Sequence, residues 1–205
     1  VEKVAETTYP VHDLVAHRWS PRAFAEKPVE TETLLSLLEA ARWAASCFNA
    51  QPWRYLIATK EKPDDYARLL SCLVEFNQQW AKSAPVLMIS IAKTTFDHNG
   101  KPNAHSWHDV GQASASMAIQ ATALGLQIHQ MAGFSAEKVR ELYQLPAEFE
   151  PVAAIAIGYP GDPATLPENF REREVAPSSR NAIEAFAFTG NWGNPILPDD
   201  EALEE

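Results

Sequence analysis

The chain has 205 residues, long enough for one domain with a sizeable core. Its 27 acidic and 17 basic side chains give a formal net charge of −10, which argues against the concentrated basic surface that a nucleic-acid partner needs. No apolar run reaches the length of a membrane span, and the first residues show no basic-then-apolar signal pattern. Cys47 and Cys72 have no CxxC or zinc-ligand spacing, so the expectation is a cytoplasmic protein in a reducing compartment.

Residues 10–18 read as a short amphipathic helix that stops near Ser20-Pro21, because the residue before proline is pushed out of the helical region. Thr31 is the expected N-cap of a second helix, with Leu34, Leu35, Leu38, Ala41 and Ala45 at helical spacing. Arg54–Thr59 reads as a strand. A third helix is expected from Asp64 to about Lys82, with Leu69, Leu70, Leu73 and Phe76 on one side. The continuous apolar run VLMISIA after Pro85 reads as a buried central strand. Residues 94–106 are loop-like. An Ala- and Ser-rich helix from about Trp107 to Leu124 is suited to close packing, and Gly125 ends it.

A short strand at Leu126–His129, a helix at Ser135–Tyr143 capped by Ser135, and a strand at Val152–Gly158 complete the regular part. From about residue 160 the chain reads as an extended arm punctuated by prolines and bearing Phe170, Phe186, Phe188 and Trp192, ending in the acidic tail PDDEALEE. Aromatic residues on an arm without its own core need a surface to bury against, either on a second subunit or back on the same chain. Strands alternating with helices give an α+β fold, a mixed α/β sandwich in one domain over 1–205.

Several residues could carry chemistry. Arg18, Ser20 and Arg22 lie two apart, which in extended backbone puts two guanidinium groups and a hydroxyl on one face, a set suited to a phosphate. Two solvated surface arginines are the plainer alternative. Ala45-Ser46-Cys47-Phe48-Asn49-Ala50-Gln51-Pro52-Trp53 is too polar for core and too short for a linker. Its small and amide side chains suit a flat heterocycle with many hydrogen-bonding edges. His105 and His108 lie i, i+3, but there is no HExxH and no third histidine at plausible spacing. No metal is expected, and Asp109 is expected to support the helix start. Without GxGxxG or GxxxxGK[ST], a dedicated nucleotide cradle is absent from the sequence.

The segment ASCFNAQPW resembles the Pro-Ser-x-x-Asn-x-Gln-Pro-Trp stretch of the nitroreductase family, and HRWSPRAF, ALGLQIHQMAGF, AAIAIGYPGDP and FTGNWGNP agree with that family in order, from about His12 to Pro195. The resemblance implies a central mixed β-sheet flanked by helices, in an intertwined homodimer with an extended C-terminal arm and flavin sites at the subunit interface. It implies FMN as cofactor, NAD(P)H as transient electron donor, and a nitroaromatic, quinone or similar acceptor reduced by a ping-pong mechanism. An FMN carrier or sensor, or a specialised dehydrogenase or dehalogenase, is the alternative. It places Arg18, Trp19 and Ser20 at the FMN phosphate or ribityl chain, and Arg22 at the N1/O2 edge, where positive charge raises the flavin potential.

It further assigns Ala45, Ser46, Cys47 and Asn49 to the flavin of the other subunit, and Gln130, Met131, Ala132 and Gly133 to the region of N5. Asn77 falls at the pyrimidine edge and Arg180 at the phosphate. Four positions depart from the family pattern: Ala45 stands for a proline, Cys47 for a serine, Ala132 for the glutamate of many relatives, and Ser178 for the first residue of a basic pair completed by Arg180. The flavin carries the reaction, so no side chain is expected to be catalytic. The loop carrying Phe96, His98 and His105 is expected to overhang the flavin as a gate.

Overall fold

The computed structural model describes residues 3–196, which form two compact units divided after Val175; the acidic tail expected at 198–205 lies outside the described residues. The first unit contains α1 (Asp13–His17), α2 (Thr31–Arg42), β1 (Trp53–Thr59), α3 (Pro63–Leu70), α4 (Glu75–Ala81), β2 (Val86–Lys93), α5 (Ser106–Ala123), β3 (Gln127–Met131), α6 (Ala136–Tyr143), β4 (Phe149–Gly158) and α7 (Glu168–Val175).

The four strands form one sheet in the order β1-β2-β4-β3. The α+β class stands, but the sheet expected to be mixed is antiparallel at each of its three pairings. The reason for its central strand is legible in VLMISIA: with neighbours on both edges and helices on both faces, β2 needs no polar side. Its alternate residues feed two cores. Leu87, Ile89 and Ile91 join Tyr66, Leu69, Trp80, Val139 and Phe170. Val86, Met88 and Ala92 join Leu37, Ala41, Val110, Met117 and Ala121, between the sheet and the α2–α5 pair. Ala113, Ala118 and Ala121 are the small side chains that let α5 lie close to the sheet and to α2, where Gln120 Nε2 donates to Ser36 Oγ at 3.1 Å. The β2–β4 register shifts between Ser90 and Ile91, opposite Pro151, which has no N–H to offer the ladder.

Four expectations are corrected. The first helix covers Asp13–His17 and not 10–18. In α2 the N-cap position is Glu30, without a side-chain bond, and Leu37 is buried while Leu35 faces out. The single helix expected over 64–82 is two helices. Between them Val74 N–H donates to Gly133 O at 3.1 Å and Ser135 N–H to Cys72 O at 2.8 Å, so the chain after β3 takes the hydrogen bonds that helix continuation would use. Residues 168–175 are not extended arm. They form α7, whose Phe170 is fully buried and lies 4.7 Å from the Phe76 ring. Among the described residues no helix is long and apolar enough to cross a membrane.

Within the second unit, a 3₁₀ turn at Ile183–Ala185 precedes a tight reversal. There Thr189 N–H donates to Asn194 O and Ile196 N–H to Ala187 O, and Gly190 and Gly193 supply the left-handed φ values. Phe188 packs on Trp192 at 5.0 Å, and Trp192 is otherwise exposed.

Candidate active site

The chain from the end of α1 at His17 to Ala23 is held by three side chains from two distant parts of the chain, β3 and α7. Gln127 Nε2 donates to His17 O and Gln127 Oε1 accepts from Trp19 N–H, both at 3.1 Å. His129 Nδ1 bonds Pro21 O at 2.9 Å. Glu174 accepts from Arg22 N–H at 2.8 and 3.0 Å and from Ala23 N–H at 2.9 Å. Gln127 and His129 are two apart on β3, so strand alternation delivers both to the same segment. None of these three anchors is among the expected site residues. The i, i+2 spacing on β3 was a signal for two of them; the buried Glu174, inside the charged run ENFREREV, left none.

The segment's alternate side chains, Arg18 and Ser20, join Ala115, Ala118, Ile119, Ile128 and Gln130 around a groove of about 380 Å³. Arg18 Nη1 donates to Ser20 Oγ at 3.5 Å. Beside this segment the Arg22 guanidinium lies 5.9 Å from the centre of the Trp80 ring, and its buried Nε has no partner. Burial lowers the Arg22 pKa; Glu174 acts against that shift and Arg173 with it. His129 also packs on the Trp80 ring, at 4.5 Å between centroids. Burial pushes His129 down to about 4, so the imidazole is neutral at neutral pH, and its Nδ1 carries the proton that the Pro21 carbonyl accepts.

The 45–53 stretch is built differently. Cys47 N–H donates to Asp109 Oδ2 at 3.0 Å, and Asp109 is 2% exposed. Asp109 therefore supports the neighbouring loop from the first turn of α5; the N-cap position of that helix is His105, whose side chain makes no capping bond. Ser46 Oγ accepts from Gln51 N–H at 3.0 Å. Phe48, Asn49 and Gln51 have φ of 51°, 54° and 46°, left-handed values that cost a non-glycine residue about 1 kcal/mol each. Phe48 is 85% exposed and meets Phe96 edge-on at 5.9 Å and His98 at 6.5 Å, so the 94–106 loop gathers around this strained turn. His105 and His108 are exposed, and among the described residues no three His, Cys, Asp or Glu side chains are grouped to hold a metal.

At the end of β3, Gln130 reaches the groove and Met131 is buried in the core, and just beyond it Ala132 is exposed. A Cβ on Gly133 would stand 2.4 Å from Asn77 Nδ2, which donates to Gly133 O at 3.0 Å. A side chain at Gly133 would have to displace Asn77 of α4. The structure joins Asn77 to Gly133 and Arg18 to Ser20 and Gln130. It does not bring residues 45–49 to that groove: Asp109, their anchor, and Ile119, a groove residue, stand ten positions apart on α5, about 15 Å along its axis. Arg180 belongs to the second unit, where it is exposed and donates to Ser179 O at 2.7 Å.

The residues present fit the FMN that the sequence resemblance implies. A cavity of this volume lies within the range of small-ligand sites, with cationic and hydroxyl groups on one wall and aliphatic side chains on the other. Arg22 is not among the residues that line this groove; its unpartnered Nε is buried beside Trp80.

The family model described as the nitroreductase family matches residues 15–159. An uncharacterized 15.4 kDa protein of Mycolicibacterium smegmatis is 35% identical over 133 residues, 65% of this chain and 88% of that protein. A protein of Xanthomonas oryzae pv. oryzae provisionally named NADH dehydrogenase/NAD(P)H nitroreductase is 31% identical over 163 residues, 70% of this chain and 81% of its own length. A crystal structure described as an oxidoreductase containing FMN superposes with a TM-score of 0.87 at 41% identity, covering 92% of this chain and 96% of that one.

Proposed function

This chain belongs to the nitroreductase family, and we propose on that premise that it passes a hydride from NAD(P)H to a nitroaromatic, quinone or similar small acceptor. It is an FMN-dependent oxidoreductase. FMN, when bound, supplies the hydride chemistry at N5, and a ping-pong order follows if donor and acceptor use the same face in turn. The observation that carries the reading is the segment 18–22, clamped by Gln127, His129 and Glu174 beside the groove.

The protein's part is to bind and orient. Arg18 and Ser20 would hold the phosphate end, with Trp19 between them on the anchored backbone. Arg22 would set its charge beside the ring, and Gln130, Met131, Ala132 and Gly133 would border the reacting edge, with Asn77 behind Gly133. Ala45, Ser46, Cys47 and Asn49 serve a second flavin across the interface of a homodimer. Their separation from the groove along α5 supports that division of labour. In the same proposal Arg180 and the described residues after Val175 reach the partner subunit, the exposed Phe186 and Trp192 finding their burial there. Two free cysteines accord with a cytoplasmic setting.

The visible spectrum of the purified protein, followed by anaerobic NADPH or NADH, tests this. A flavin band that bleaches, and returns when a quinone or nitroaromatic is added, is the expected outcome. A protein that takes up no FMN when it is supplied overturns the reading.

A further inference from the structure

Resting on the flavin reading above, we infer that Glu174 is a positioning residue for the site: its carboxylate fixes the backbone of Arg22 and offsets the charge that Arg22 presents to the flavin. Glu174 lies in the last turn of α7 and is 1% exposed, on the same helical face as the buried Phe170 four residues earlier. The other charged side chains of that helix, Glu168, Arg171, Glu172 and Arg173, are exposed.

A buried carboxylate costs several kcal/mol unless hydrogen bonds satisfy it, and a packed apolar side chain fills the same face more cheaply. Here all the described bonds to the carboxylate come from two consecutive backbone N–H groups, those of Arg22 and Ala23. The charge is therefore spent on one segment of the site, 151 and 152 residues away in the chain. Two effects follow. The anchored N–H groups hold the Arg22 Cα in place, and so fix the origin of a long side chain whose Nε is buried without a partner. The negative charge, held at the Arg22 backbone N–H, also counters the lowering of the Arg22 pKa by burial. A cation beside a flavin raises its potential, and a buried anion behind that cation moderates the rise.

Two variants separate anchoring from charge. In Glu174→Gln the amide oxygen can keep the two bonds now made to Oε1, while the charge is gone. FMN affinity is expected within about threefold of the parent, and the midpoint potential of bound FMN is expected to rise. In Glu174→Ala both N–H groups lose their acceptor, and FMN affinity is expected to fall about tenfold or more, as for loss of a charge-assisted bond. A residue that merely filled space would weaken FMN binding without moving the potential in the glutamine variant. An unchanged potential in Glu174→Gln, or undiminished FMN affinity in Glu174→Ala, overturns the assignment. Where the alanine variant does not fold, the potential of the glutamine variant decides alone. Parent protein that takes up no FMN defeats the flavin reading instead, before either variant is made.

Discussion

Asp109, buried in the first turn of α5, accepts the backbone N–H of Cys47 at 3.0 Å and so ties the strained 45–53 turn to the longest helix described. Asp109→Ala leaves that N–H without its acceptor and is expected to cost about 1–3 kcal/mol in urea unfolding, with weaker FMN binding. Asp109→Asn keeps an acceptor and should lose markedly less. Equal losses in the two variants would show that the bond to Cys47 is not what Asp109 contributes.

Gly133→Ala forces a Cβ to 2.4 Å from Asn77 Nδ2, so Asn77 must give up its bond to Gly133 O. The expected destabilisation is about 1–3 kcal/mol. Asn77→Ala removes the bond and the nearer clash, leaving only Val74 Cγ2 at 3.0 Å, so in that background the same substitution should cost clearly less. A double-mutant cycle reads the difference, and strict additivity would argue against the contact.

His129 has a folded-state pKa of about 4, below its ordinary 6.5. The unfolded chain therefore binds a proton that the folded chain refuses between those values. Stability falls as pH drops through 6.5 toward 4, by about 3 kcal/mol at most, and the loss levels off below. His129→Asn, which retains a donor and does not titrate there, should flatten the dependence between pH 6.5 and 5. Urea midpoints at stepped pH check this, and parallel slopes for parent and variant would remove His129 as the cause.

Arg22→Ala should lower the midpoint potential of bound FMN, opposite in sign to the glutamine variant of Glu174. Spectroelectrochemistry of the two variants side by side makes the comparison. The same potential in Arg22→Ala as in the parent would take Arg22 away from the ring.

Truncation before Pro177 removes all of the second unit but Ala176 and leaves α7 and Glu174 in place. The expected product is a folded monomer that binds FMN weakly, seen by light scattering and flavin fluorescence. A truncated holo-dimer would mean that the interface lies elsewhere.

Much of the fold was legible because its elements obey one-dimensional rules. VLMISIA could only be a strand covered on both faces, and Ser135 does cap α6, accepting from Lys138 N–H at 3.1 Å. The helix expected over 64–82 failed where tertiary hydrogen bonds to residues 133–135 outbid helix continuation, and no local pattern encodes those. The site divides the same way. Arg18, Ser20 and Gln130 could be named because their chemistry is carried by the side chains that face the groove. Glu174 could not, since its role is to bind backbone 152 residues upstream, and a carboxylate in a charged helix reads as solvated until its burial is known.

That separation also sets a timetable. The arginine-bearing segment is synthesised before the side chain that clasps it, which follows 152 residues later. At about 5–20 residues per second the interval is roughly 8–30 s. Through that time a nascent chain carries the arginine-bearing segment without the clasp that fixes it. The clasp can close only once α7 has left the ribosome.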